Sequence, residues 1–62
     1  MKETYQIHTS YGTYGIIVKD KHVVKAAKIA NWMVGLPIER IIAWVRGKKG
    51  TISLIERTRD AK

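Results

Sequence analysis

The chain has 62 residues, no cysteine, and a net charge of +7 from twelve Lys and Arg against five Asp and Glu. So short a chain is expected to form one domain, 1–62, that buries only about 60% of its unfolded surface. Neither a disulfide framework nor, with two histidines, a structural zinc site can supplement it. Extra stability then has to come from close packing or from self-association, and a homodimer is expected.

Met1 to Glu3 reads as a frayed start. Thr4-Tyr5-Gln6-Ile7-His8-Thr9 alternates apolar and polar residues with period two, the pattern of a half-buried strand. Ser10-Tyr11-Gly12 has turn chemistry. Thr13 to Lys19 follows as the strongest strand, with Tyr14, Ile16 and Val18 on one face and Gly15 and Ile17 on the other. Apolar residues on both faces predict a central strand, covered on both sides or dimerised on one. Gly15 predicts a gap that a tryptophan or a backbone can approach. Asp20-Lys21 turns the chain without the favoured glycine, and His22 to Lys25 returns as a third strand.

Two helices are expected next, over 26–34 and 37–47. They carry the same heptapeptide: Ile29-Ala30-Asn31-Trp32-Met33-Val34-Gly35 and Ile41-Ile42-Ala43-Trp44-Val45-Arg46-Gly47 are both Ile-x-x-Trp-x-x-Gly. Ala26, Ile29, Ala30 and Met33 in the first, and Ile38, Ile41, Ile42 and Val45 in the second, fall on one face of a 3.6-residue helix. Each glycine is placed to take the left-handed conformation of a C-terminal cap. Pro37 suits the first turn of the second helix, with Glu39 and Arg46 complementing its dipole. Both tryptophans lie about 100° off the centre of their stripes, so they are boundary residues, half against the core and half toward a partner or the other helix.

Gly47-Lys48-Lys49-Gly50 is a basic loop, Thr51 to Glu56 a last strand, and Arg57 to Lys62 a polar, disordered tail. The order is β-β-β-α-α-β: an α+β domain with a three-stranded antiparallel meander, two short helices and a final strand. No low-complexity tract or linker interrupts it.

The charge excess favours a polyanionic partner, nucleic acid or an acidic protein surface, over simple solubility. It is concentrated late in the chain, where Arg46, Lys48, Lys49, Arg57, Arg59 and Lys62 face only Glu56 and Asp60. The residues expected to bind nucleic acid are Arg40, Arg46, Lys48 and Lys49, then Lys25 and Lys28, with Trp44 or Trp32 as a stacking plate. A helix-turn-helix reading sets Gly35 in the turn and the second helix as the recognition helix. Asn31, where a small residue is usual, and Pro37 so near the turn fit it poorly, and simple helix packing explains the same spacing.

Nothing suggests catalysis. The carboxylates are scattered, Ser10 and Ser53 have no evident base, and Asp20-x-His22 decorates a hairpin end rather than forming a metal pair. No cofactor is expected. No apolar run approaches the ~20 residues of a membrane span, and no signal-peptide pattern opens the chain, so a soluble, cytoplasmic protein is expected.

The run Val23-Val24-Lys25-Ala26-Ala27-Lys28-Ile29-Ala30-Asn31-Trp32-Met33-Val34-Gly35, between a Tyr/Gly-rich strand pair and a basic Trp-containing helix, resembles a group of small proteins. Phages, archaeal viruses and thermophile genomes encode them. The resemblance spans most of residues 4–56 and transfers no functional residue. It implies a mobile-element setting, in which small proteins bind nucleic acid or disable a host protein. The two function hypotheses are therefore nucleic-acid binding, largely through phosphates, and a viral interaction module that docks on an acidic host protein or assembles through an exposed strand edge.

Overall fold

The computed structural model describes residues 1–59. Strands β1 (Lys2–Thr9), β2 (Gly12–Lys19) and β3 (His22–Ala26) lead into a 3-10 segment (Lys28–Met33). Helix α1 (Ile38–Gly47) and strand β4 (Thr51–Thr58) follow. The fold is α+β, but its sheet is one four-stranded antiparallel unit in the order β3-β2-β1-β4. The expected separate final strand instead joins the meander at β1. The expected first helix is a kinked 3-10 segment, broken at Ala30 (φ −112°, ψ 17°).

Register explains the core. Ile7 pairs with Tyr14 on one side and Ile52 on the other, and Tyr5 pairs with Ile16 and Leu54. Opposed residues of an antiparallel pair share a face, so all six project to one side of the sheet. On that side Ala30, Met33, Ile38, Ile41 and Val45 close over Ile7, Ile16, Val18 and Val23, and these nine residues are the buried core. Complete burial of one such aliphatic side chain contributes about 1.5–3 kcal/mol.

β2 is an inner strand, as expected, and of the two covers expected for it a second helix layer is not found: the other sheet face carries no helix among the described residues. Its register puts Thr4, Gln6, Gly15, Ile17, Lys25 and Ser53 there. Nor does Gly15 admit a close neighbour. A Cβ at that position would meet only the Tyr5 carbonyl oxygen, at 3.5 Å.

Lys2 and Glu3 of the expected frayed start, and Arg57 and Thr58 of the expected tail, are strand. Lys2 and Glu3 pair with Thr58 and Arg57, and the Arg57 Nε lies 3.0 Å from the Glu3 carboxylate. The Tyr5 hydroxyl donates to Glu3 at 3.2 Å. Burial first, then the Glu3 carboxylate, raises the Tyr5 pKa. Residues 60–62 of the expected disordered tail lie outside the described residues. The Asp20–Lys21 turn adopts positive φ at both residues, 52° and 65°, the two-residue hairpin geometry usually reserved for Asn-Gly. Among the described residues no helix is long and apolar enough to cross a membrane.

Candidate nucleic-acid interface

The β1–β2 turn and the α1–β4 loop meet at one end of the sheet. In the turn, Thr9 Oγ1 accepts a hydrogen bond from the Tyr11 backbone N–H at 3.1 Å, and Gly12 takes φ 133°. That geometry holds the Tyr11 ring outward, 63% exposed. Tyr14, two residues into β2, lies on the helix side and is half-buried. Burial pushes its phenol above the ordinary value, against a smaller lowering by its hydrogen bond with Thr9.

The two repeat tryptophans complete the wall. Trp32 and Trp44 pack edge to face, with centroids 5.1 Å apart and planes at 72°. This is the favoured geometry of aromatic pairs. With Tyr11, Tyr14 and Ile29 they line a cleft of about 270 Å³. Trp32 and Ile29 remain largely exposed, at 52% and 61%.

The basic loop borders this cleft. The Lys48 N–H bonds the carbonyls of Trp44 and Val45 at 3.1 Å each, and Gly50 N–H bonds Val45 O at 2.9 Å. The left-handed residue is Lys49 (φ 58°), not the expected Gly47, which is still helical. Gly50 is fixed by space. A Cβ there would collide with the His8 carbonyl oxygen and press on Thr9 and Val45. The loop and the β1–β2 turn enclose a shallow basin of about 500 Å³, lined by His8, Thr9, Ser10, Lys48, Lys49, Gly50 and Thr51. Lys48 joins the two depressions, with its Nζ 5.7 Å from the Tyr11 ring centroid, in range of a cation–π attraction.

Of the residues expected from sequence, Lys48, Lys49, Trp44 and Trp32 come together here. Arg40 lies one helical turn before Trp44 on the same flank of α1, without lining the cleft. Arg46 is roughly 160° round the helix from Trp44 and faces away. Lys28 and Lys25 are exposed and line neither depression at this end. Tyr11, Tyr14 and Ile29 are additions that the sequence pattern does not single out. A large aromatic in the middle of a Ser-Tyr-Gly turn is the available signal for Tyr11.

The helix-turn-helix spacing is not met, since a kinked six-residue 3-10 segment stands where its first α-helix would be. The chain turns at Val34 and Gly35, where the Leu36 N–H bonds Met33 O at 3.0 Å, and Leu36 and Pro37 then run beside the start of β3 before α1 begins. His22 Nδ1 is engaged 2.9 Å from the Asp20 carbonyl oxygen. Among the described residues no three His, Asp or Glu side chains group as metal ligands.

No protein-family model matches the chain, and neither curated proteins nor solved structures give a match. The functional reading therefore rests on the chemistry of this end of the sheet.

Proposed function

We propose that the chain is a binding protein, not an enzyme, and that its ligand is single-stranded nucleic acid. An unpaired base stacks in the Tyr11–Tyr14–Trp32–Trp44 cleft, while Lys48 and Lys49 hold the flanking phosphates. The observation that carries this reading is Lys48, whose ammonium sits over Tyr11 where the aromatic cleft meets the basin beside the Lys48-Lys49 loop. Stacking supplies about 1–3 kcal/mol per base with little sequence preference, and phosphate contacts supply salt-dependent attraction. Arg40 continues the basic path along the Trp44 flank. Lys28 and Arg46 add to the long-range field, which at +7 draws in any polyanion. Such a role belongs in the cytoplasm, that of the host in a mobile-element setting.

The deciding test is fluorescence anisotropy with single-stranded and duplex DNA and with RNA, at low and near-physiological salt. Single strands should bind more tightly than duplex. Replacing Lys48 and Lys49 by Ala should lower the salt slope by about 1.4, near 0.7 for each phosphate no longer neutralised. Equal affinity for duplex, or no binding at low salt, would overturn the proposal. The same exposed aromatics and positive charge also suit an acidic host protein. A stable protein complex with no nucleic-acid affinity would select that reading.

A further inference from the structure

The basin and the aromatic cleft lie on different sides of the sheet. Side chains alternate along β1, so His8 projects away from the helix side on which Ile7 is buried. His8 pairs with Thr13 in β2 and with Thr51 in β4, and all three share the face that carries no helix. Tyr14 and Trp44, in the cleft, are on the helix side. The basin therefore reaches round the end of the sheet, and Lys48, over Tyr11, stands where the two depressions join.

The chemistry of the basin is that of donors. Lys48 and Lys49 bring ammonium groups, and Ser10 and Thr51 bring hydroxyls with no hydrogen-bond partner among the described residues. Thr9 is already engaged within its turn, with the Tyr11 N–H and the Gly12 carbonyl. His8 Nδ1 lies 3.0 Å from the Thr13 hydroxyl oxygen, which leaves Nε2 as the remaining polar atom of the ring. Nε2 donates whenever Nδ1 accepts the Thr13 proton. No carboxylate lines the basin, and His8 is the one ring among its lining residues. Such a set of donors suits an anion, and it offers little to the plane of a base.

We infer that the basin is a second subsite on the same strand, taking the sugar–phosphate of the nucleotide next to the stacked one. This rests on the single-strand reading above and extends it from one nucleotide to two. His8, Ser10 and Thr51 hold the second phosphate beside Lys49, while Lys48 stays at the crossing. The bound strand thus turns round the end of the sheet, presenting a base on the helix side and its backbone on the other. Contacts of the second kind position a strand without reading its sequence. A duplex, whose persistence length is about 150 base pairs, is too stiff to make this turn.

Fluorescence anisotropy at low salt with two labelled ligands tests the inference. One is a short oligothymidylate, and the other is an abasic deoxyribose-phosphate chain of the same length. The wild type should bind both, the abasic chain more weakly. His8→Ala should weaken both by about 10-fold, as expected when a hydrogen bond to a charged group is lost. Ser10→Glu sets a carboxylate in the basin at an exposed turn position and should also weaken both, so it carries the test if His8→Ala folds poorly by circular dichroism. Trp32→Ala should weaken the oligothymidylate alone. His22→Ala, at the opposite end of the sheet, should leave both affinities unchanged. Folded His8→Ala and Ser10→Glu proteins that bind both ligands like the wild type would overturn the second subsite and leave the cleft reading standing. So would a wild type that binds oligothymidylate but not the abasic chain, or a His8→Ala loss confined to oligothymidylate, which would make His8 a stacking ring. A wild type that binds neither ligand overturns the single-strand reading itself, and the inference with it.

Discussion

The Ile-x-x-Trp-x-x-Gly heptad occurs twice, and its copies fold differently. The second is the body of α1, with Ile41 and Val45 fully buried. The first makes a six-residue 3-10 segment whose opening Ile29 is 61% exposed. Local chemistry accounts for part of the contrast. Helix α1 starts after Pro37 and has Glu39 in its first turn and Arg46 in its last, matching the dipole. The 3-10 segment that holds the first copy starts after Ala27 with no side-chain cap, has no acidic residue in its first turn, and opens on Lys28. Too few residues separate β3 from the segment that must return to guard its edge, so a helix nucleus is not followed by enough turns to offset its cost. One sequence pattern therefore packs the core at one site and forms the rim of a cleft at the other.

The widest separation is expected at the isoleucines. Ile41→Ala should cost about 3–4 kcal/mol, the usual loss for a fully buried aliphatic. That is a large share of the roughly 3–9 kcal/mol expected of a chain this long. Ile29→Ala, in the same heptad position, should stay within about 0.5 kcal/mol. Urea denaturation followed by circular dichroism measures both, and equal losses would show that the first heptad is packed like the second.

The tryptophans should differ less. Trp44 is half-buried, and Trp44→Ala should destabilise by about 2 kcal/mol, below the 3–5 kcal/mol of a fully buried ring. Trp32→Ala should cost under about 1 kcal/mol, chiefly the edge-to-face pair. It should nevertheless weaken single-strand binding by about 10-fold, as expected when one base loses its stacking partner. A reversed order would place Trp32 in the core.

At the glycines the two copies should differ in sign. Gly35 has φ 92°, so Gly35→Ala should destabilise by about 1–2 kcal/mol. Gly47 is helical with open space at its Cβ, so Gly47→Ala should stabilise by up to about 0.5–1 kcal/mol. Thermal melts of the two variants give the comparison directly. Loss of stability in both would mean that Gly47 also needs the left-handed region.

The smallest effect is one of pH, at Tyr14 in the lining of the aromatic cleft. Burial raises the Tyr14 phenol above 10.0, so the folded state holds its proton more tightly than the unfolded state. That contribution is complete below the ordinary value and is lost as pH rises through the folded one. Stability should therefore fall on the alkaline side. Tyr14→Phe should flatten that fall without removing it, since Tyr5 shifts the same way. An alkaline limb unchanged in Tyr14→Phe would assign the whole effect to Tyr5.

Much of this architecture is legible in the residues. Period-two alternation locates β1, apolar residues on both faces locate β2, the Asp20-Lys21 turn locates β3, and the Ile52/Leu54 face locates β4; the Ile38–Val45 stripe locates α1 and its buried face, because short-range periodicity reports which side of an element meets the core. The charge and the Lys48-Lys49 loop mark the basic end. What periodicity cannot supply is the fate of the first heptad, whose apolar spacing matches that of α1. Its helix is cut short by the backbone bonds that Gly35 to Ile38 make with β3, contacts across more than ten residues of chain. The aromatic cleft has the same origin. Tyr11, Tyr14, Trp32 and Trp44 lie on four separate elements or turns, and only sheet register and helix placement bring them together. Composition and local spacing are enough to set the elements, the buried stripes and the net charge. Which repeat becomes a helix and which aromatics meet are settled in three dimensions, because those outcomes depend on long-range hydrogen bonds and on the space left by packing.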